Sequence, residues 1–152
     1  MVRETIDESI LFIGLKSQEK ADIVAFGEPM SVKQGTCIVR EGELGDALFL
    51  LSSGAVEVVT GEGTPEERVL TTLSGGTSLQ AGYAGAFFGE MALIDIEPRS
   101  ATVRAATDVE LVRLCARKLR EYYAENRDAQ LTMITNMARI LSRRLRLLSE
   151  AR

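Results

Sequence analysis

A mainly β domain, an antiparallel roll with helices before and after it, is the fold class this chain predicts. Three observations point there. Seven short β-rich runs (MSVK, TCIV, ALFLL, AVEVV, RVLTTL, ATVRA and VELVRLC) crowd between Met30 and Cys115. Turn residues separate them, at Gly35, Gly42, Gly45 and Gly54 and across 61–67 (GEGTPEE). Helical spacing of apolar residues is confined to the two ends of the chain. Short strands with closely spaced glycine turns are the pattern of an antiparallel barrel or jelly roll.

The elements follow in order. Residues 5–27 read as two helical pieces: Ile6, Ile10 and Leu11 share one helical face, and Ser17 is placed to cap a second helix running through Ala25. The β-rich segment is expected over 29–115, with Phe87-Phe88 as a further strand, which makes eight. Residues 74–86 (SGGTSLQAGYAGA) are small, glycine-rich and uncharged, and read as a long loop. Long loops in compact domains often act as lids; an inert bulge is the other reading. From Ala116 the chain turns helical again, a short helix over 116–124 and a long one over about 128–149. The expectation is one domain, 1–152, with a helical segment 1–28, a roll 29–115 and C-terminal helices 116–150.

Composition narrows the function. With 45% apolar and 26% charged residues in 152, the chain has the mix of one globular domain with a sizeable core. A net charge of -4 argues against a nucleic-acid or anionic-membrane binder. No apolar run approaches the ~20 residues of a membrane span, and Met1-Val2-Arg3-Glu4 opens no signal peptide. The expected location is cytoplasmic. Cys37 and Cys115, far apart in apolar runs, read as two buried reduced thiols. There is no histidine, so the commonest general base and metal ligand is missing. Neither a catalytic residue, a metal site nor a cofactor is expected.

The stretch that carries chemistry is 88–103, FGEMALIDIEPRSATV. It sets a carboxylate, Glu90, and a guanidinium, Arg99, among apolar neighbours, where lone charges are costly to bury. A helical turn beginning at Gly89 would aim free backbone N–H groups outward, and such groups bind anions. A converging guanidinium suits a phosphate, and a carboxylate accepts from a sugar hydroxyl. A buried ion pair, or two surface charges, are the other readings of this pair.

At this point the sequence resembles the cyclic nucleotide-binding domain family. The phosphate-binding cassette of that family reads F-G-E-x-A-L, a short spacer, then R-S/T/A-A-x-V. Residues 88–93 and 99–103 match it throughout, across the five-residue spacer 94–98. The glycine-spaced hairpin that precedes the cassette in the family matches IVREGELGDALFLLSSG, 38–54. The resemblance spans about residues 8–148. It implies an eight-stranded jelly roll with a short cassette helix, and a non-catalytic regulatory module for cAMP or cGMP. Its ligand-binding residues would be Gly89, Glu90, Met91, Ala92, Arg99, Ser100 and Ala101. By that resemblance Glu90 binds the ribose 2′-hydroxyl, Arg99 and Ser100 take the cyclic phosphate, and the backbone of Gly89 and Ala92 completes the anion nest. Ser100, where cGMP binders of the family often carry threonine, leans the choice to cAMP. Gly42, Gly45 and Gly54 are expected as turn glycines with positive φ, and Phe88 and Leu93 as core. The 14 residues 74–87 exceed the family's usual connection to F-G-E. Cupin-like jelly-roll enzymes are set aside because they need histidine ligands. A degenerate roll that only dimerises is the rival, against which Glu90, Arg99 and Ser100 stand intact.

In the last helix, Leu131, Ile134, Ala138, Leu141, Leu145 and Leu148 recur at spacings of 3, 4, 3, 4 and 3, a heptad seam. It either packs on the roll of its own chain or pairs two copies as a homodimer. Arg139, Arg143, Arg144, Arg146 and Arg152 read as a solvated basic face, with one arginine stacking on the purine or an acidic partner as alternatives. No DNA contact is expected, since many bacterial relatives carry a helix-turn-helix beyond this helix and the sequence ends at Arg152. The downstream partner is left open.

Overall fold

The structure is a computed structural model that describes residues 2–75, 87–89, 93 and 98–150. Helices α1 (Val2–Glu8) and α2 (Ser17–Val24) flank a 3₁₀ turn at Ile10–Phe12. Among the described residues eight strands follow: β1 (Glu28–Val32), β2 (Cys37–Val39), β3 (Ala47–Ser53), β4 (Ala55–Thr60), β5 (Arg68–Ser74), β6 (Phe87–Phe88), β7 (Thr102–Ala105) and β8 (Val109–Cys115). Helices α3 (Ala116–Glu125) and α4 (Arg127–Glu150) close the chain. The strands form two four-stranded antiparallel sheets, β1-β8-β3-β6 and β2-β7-β4-β5. The expected eight-stranded roll with flanking helices is therefore observed.

Side-chain alternation along the central strands builds two cores. Leu48 and Leu50 of β3, with Val112 and Leu114 of β8, join the cluster beneath the helices, around Phe12, Leu119 and Met133. Ala47, Phe49 and Leu51, with Val109 and Leu111, line the space between the sheets. A strand covered on both faces reads as a continuous apolar run, as ALFLL does. Between β4 and β5 the register shifts at Val58/Val59, where β5 carries the extra residue, Leu70; Val56 and Val59 of β4 are both fully buried although they are three residues apart.

Local chemistry departs from expectation at the N-terminus. The spacing of Ile6, Ile10 and Leu11 hides a break at Ser9, whose hydroxyl accepts from the Leu11 N–H at 3.2 Å and starts the 3₁₀ turn. Ser17 is not the cap of α2. Lys16 holds that position, its N–H donating to Glu19 Oε1 at 2.8 Å, and the helix ends at Val24. The two cysteines are free, and both are half-buried rather than buried.

Specific polar contacts join the helices to each other and to the 3₁₀ turn. Asn136 of α4 is buried, and its Nδ2 donates to Leu11 O at 2.9 Å and Ile13 O at 2.8 Å, filling carbonyls at the end of the 3₁₀ turn. Tyr122 of α3 donates to Asp22 of α2 at 2.9 Å; burial, then that carboxylate, pushes the phenol up to about 12. Tyr123 donates to the Met133 sulfur across the α3–α4 junction.

Candidate functional site

The two sequence motifs meet at Arg99. Its N–H donates to Glu43 O at 2.7 Å and its carbonyl accepts from Gly42 N–H at 2.8 Å, so the backbone of the glycine-spaced hairpin is strapped to it. Leu44 bridges to Pro98, and the Glu41 N–H donates to the buried Thr102 hydroxyl at 3.0 Å just beyond. Gly42 and Gly54 have φ of +87° and +86°, as expected of turn glycines.

Gly45 corrects that expectation. Its φ is not positive; what it provides is clearance. A Cβ there would lie 2.5 Å from Arg99 Cζ and 2.6 Å from Nε. On the other side, a Cβ on Gly89 would lie 2.9 Å from Arg99 Nη1 and 2.7 Å from Ala47 O. Gly89 also has φ of +85°, which favours glycine. The half-buried guanidinium thus lies in a slot with a glycine on each side. Inside it, Nη1 donates to Gly89 O at 3.2 Å and Nη2 to Ala47 O at 3.0 Å. These bonds tie the end of β6 to the start of β3 and fix the plane of the guanidinium.

Of the other predicted site residues, Ser100 is exposed and Ala101 half-buried directly after Arg99. Glu90, Met91 and Ala92, and the cassette helix apart from Leu93, lie outside the described residues, as does 76–86 of the expected lid. Leu93 packs partly buried against the helix-side core, and Phe88 is buried against Phe49 with ring centres 5.0 Å apart. Across the inner face of the second sheet, Val39 pairs with Val103, Val103 with Val58 and Val58 with Thr71, an apolar row ending in a hydroxyl.

A cavity of about 380 Å³ opens beside Arg99 between β1 and β2, with Val32 and Phe49 in its wall and Asp46 and Arg113 at its polar side. Arg99 is the one predicted ligand residue that lines it among the described residues. Cys37 lines it too; burial pushes this thiol up, and its Sγ donates to Val39 O at 3.3 Å. Cys115, at the start of α3, is shifted the other way, chiefly by the Lys118 backbone N–H. Among the described residues no cluster of three or more metal-ligating side chains occurs.

The long helix separates two stripes. Ala129, Met133, Asn136, Met137 and Ile140 are buried against the domain, whereas Leu131, Ile134 and Leu145 are exposed. The reading that the heptad seam packs on its own roll is therefore overturned for these three. Leu141 is half-buried against the helix-side core, and the Leu148 side chain lies outside the description. Arg144 leaves the expected solvated face as well. It is half-buried, with its Cζ 4.6 Å from the centre of the Phe87 ring and its Nη2 donating to Phe87 O at 3.1 Å. Arg152 is outside the described residues. No described helix is long and apolar enough to cross a membrane.

The chain is a β-roll with helices at both termini, and its guanidinium fixed between two glycines is a cation whose planar fork matches an anion such as a phosphate. Residues 29–126 match the cyclic nucleotide-binding domain. A cyclic nucleotide-gated potassium channel of Rhizobium etli is 43% identical over 70% of this chain, which spans 26% of the channel. The cyclic AMP receptor protein of Thermus thermophilus is 35% identical over 91% of this chain and 58% of the receptor. The crystal structure of the Thermus thermophilus catabolite activator protein superposes with a TM-score of 0.72 at 31% identity, covering 94% of this chain and 61% of that one. The chain belongs to the cyclic nucleotide-binding domain family.

Proposed function

We propose that this domain is a non-catalytic regulatory module that binds a cyclic nucleoside monophosphate, cAMP in preference to cGMP. The observation that carries this reading is the Arg99 slot. Both glycines that form it belong to the two motifs shared with the family, and their missing side chains let one guanidinium be held flat by two carbonyls. A guanidinium held this way meets a phosphate without reorganising. In this reading Glu90 binds the ribose 2′-hydroxyl, Ser100 assists Arg99 at the phosphate, and the Gly89 and Ala92 backbone completes the nest. Met91 and Ala101 border the ligand, and the Val39–Val103–Val58–Thr71 row is the wall for the nucleoside.

The output runs through α4, which shifts on binding and pairs two copies into a homodimer. The exposed stripe supports that pairing. With Leu131, Ala138 and Leu145 at a positions, Ile134 at a d position and half-buried Leu141 at the next, Thr135 and Ser142 fall at the flanking e positions. Arg139, Arg143 and Arg146 fall at b and f, away from the seam, so like charges do not meet. Such a module acts in the cytoplasm on a protein partner.

Calorimetry with cAMP and cGMP tests the reading. Wild type is expected to bind cAMP more tightly than cGMP. Arg99→Ala is expected to lose about 2–5 kcal/mol of binding, the scale of truncating one member of a buried charge pair, with the fold retained by circular dichroism. An Arg99→Ala protein with wild-type cAMP affinity overturns the proposal.

A further inference from the structure

Two arginines grip the backbone of the strand that leads into the cassette. Arg99 donates to Gly89 O at 3.2 Å. Arg144, from α4, donates to Phe87 O at 3.1 Å and lies with its Cζ 4.6 Å from the Phe87 ring centre. The side chains between them are both buried, Phe88 stacked on Phe49 with ring centres 5.0 Å apart, and what the arginines add is a hold on the backbone carbonyls. Among the described residues β6 is Phe87–Phe88, and it pairs with β3 at Phe49–Phe88 and Leu50–Phe87. The Phe87 ring is fully buried beneath the helices, so the surface on which Arg144 rests is itself fixed. Arg144 also continues the pinned face of α4: it follows Asn136 and Ile140 at spacings of four, and Asn136 ties that face to the carbonyls of Leu11 and Ile13.

Resting on the cyclic-nucleotide reading above, we infer that Arg144 is a positioning residue for the nucleotide site. By holding the Phe87 carbonyl and ring, it sets β6 so that the Gly89 carbonyl, two residues on, meets the Arg99 guanidinium. Without that hold, binding must order β6 as well as capture the ligand, and affinity falls by the cost of that ordering. The coupling is reciprocal: nucleotide bound at Arg99 steadies β6 and so strengthens the grip of α4 on it. The contact acts on the strand, not on the base, so cAMP and cGMP feel it equally.

The test uses the full chain as wild type, Arg144→Met, Arg144→Lys, Phe87→Leu and the Arg144→Met/Phe87→Leu double variant. Amide exchange across 87–89 is measured without ligand, and affinity for both nucleotides by calorimetry. Arg144→Met is expected to speed exchange at 87–89 and to weaken both nucleotides by the same factor, about tenfold, the scale of one desolvated cation–π contact. Arg144→Lys, which keeps the cation but not the planar fork, is expected to recover part of the loss. Adding Phe87→Leu to Arg144→Met is expected to cost less than Phe87→Leu costs alone, because both remove one contact. Unchanged exchange in Arg144→Met, tighter binding, fully additive losses, or a loss confined to one nucleotide each overturn the inference; the last would mean direct contact with the base. A wild type that binds neither nucleotide overturns the functional reading and the affinity claim with it, and exchange at 87–89 then decides the grip on β6 by itself.

Discussion

Along α4, Met133 is 1% exposed while Leu131, two residues earlier, is 67% exposed. Both belong to apolar stripes that recur at helical spacing, so hydrophobicity alone does not choose the stripe the domain covers. Complementarity of shape and polar groups does. The covered stripe mixes unbranched methionines, which fill irregular gaps, with an asparagine that meets two carbonyls at the end of the 3₁₀ turn. Its last member is an arginine that finds an aromatic ring and a strand carbonyl. The bare stripe is aliphatic at strict 3–4 spacing, with small hydroxyl residues beside it. That regularity suits another helix rather than the uneven surface of a roll.

Three substitutions sharpen or break this contrast. Met133→Ala carries the largest expected effect on folding, a loss of about 2–5 kcal/mol as a buried side chain is removed. It is expected in urea unfolding with no change in sedimentation. Asn136→Ala leaves the Leu11 and Ile13 carbonyls without this donor and is expected to cost about 1–3 kcal/mol. Amide exchange around the 3₁₀ turn should rise with it. Leu145→Asp is expected to change the stability of the isolated protomer by no more than about 0.5 kcal/mol, as surface changes usually do, yet to convert a sedimenting dimer into a monomer. A Leu145→Asp protein as destabilised as Met133→Ala, or a Met133→Ala protein of halved mass, would erase the distinction between the faces.

The roll was legible because its strands are short, β-branched and separated by turn residues. Each of the seven runs has a counterpart among the observed strands, and Phe87-Phe88 adds the eighth. The break at Ser9 was not legible, because a 3₁₀ turn keeps Ile6 and Leu11 buried just as a continuous helix would. At the site, Arg99 stood out through its motif. Gly45 was misread because sequence does not separate a glycine needed for its φ from one needed for its missing side chain; only the guanidinium beside it tells them apart. Arg144 was hidden among five arginines, although its spacing of four from Ile140, and of eight from Asn136, was a usable signal. An arginine that continues a buried stripe needs a partner inside the fold.

The glycine slot has a consequence for how this chain tolerates genetic drift. With Arg99 in place, a side chain at Gly45 has to displace the guanidinium, so the two positions behave as one mutational target. If a descendant lost the arginine, the three atoms nearest to a Gly45 Cβ would go with it, and the φ of Gly45 is not positive, so no left-handed conformation would hold the glycine there. Gly89 would stay constrained, held by its φ of +85° and by the Ala47 carbonyl, which is 2.7 Å from where its Cβ would stand. A lineage that abandoned its ligand would therefore relax unevenly, with Gly45 released from its clash with the guanidinium while Gly89 stays fixed.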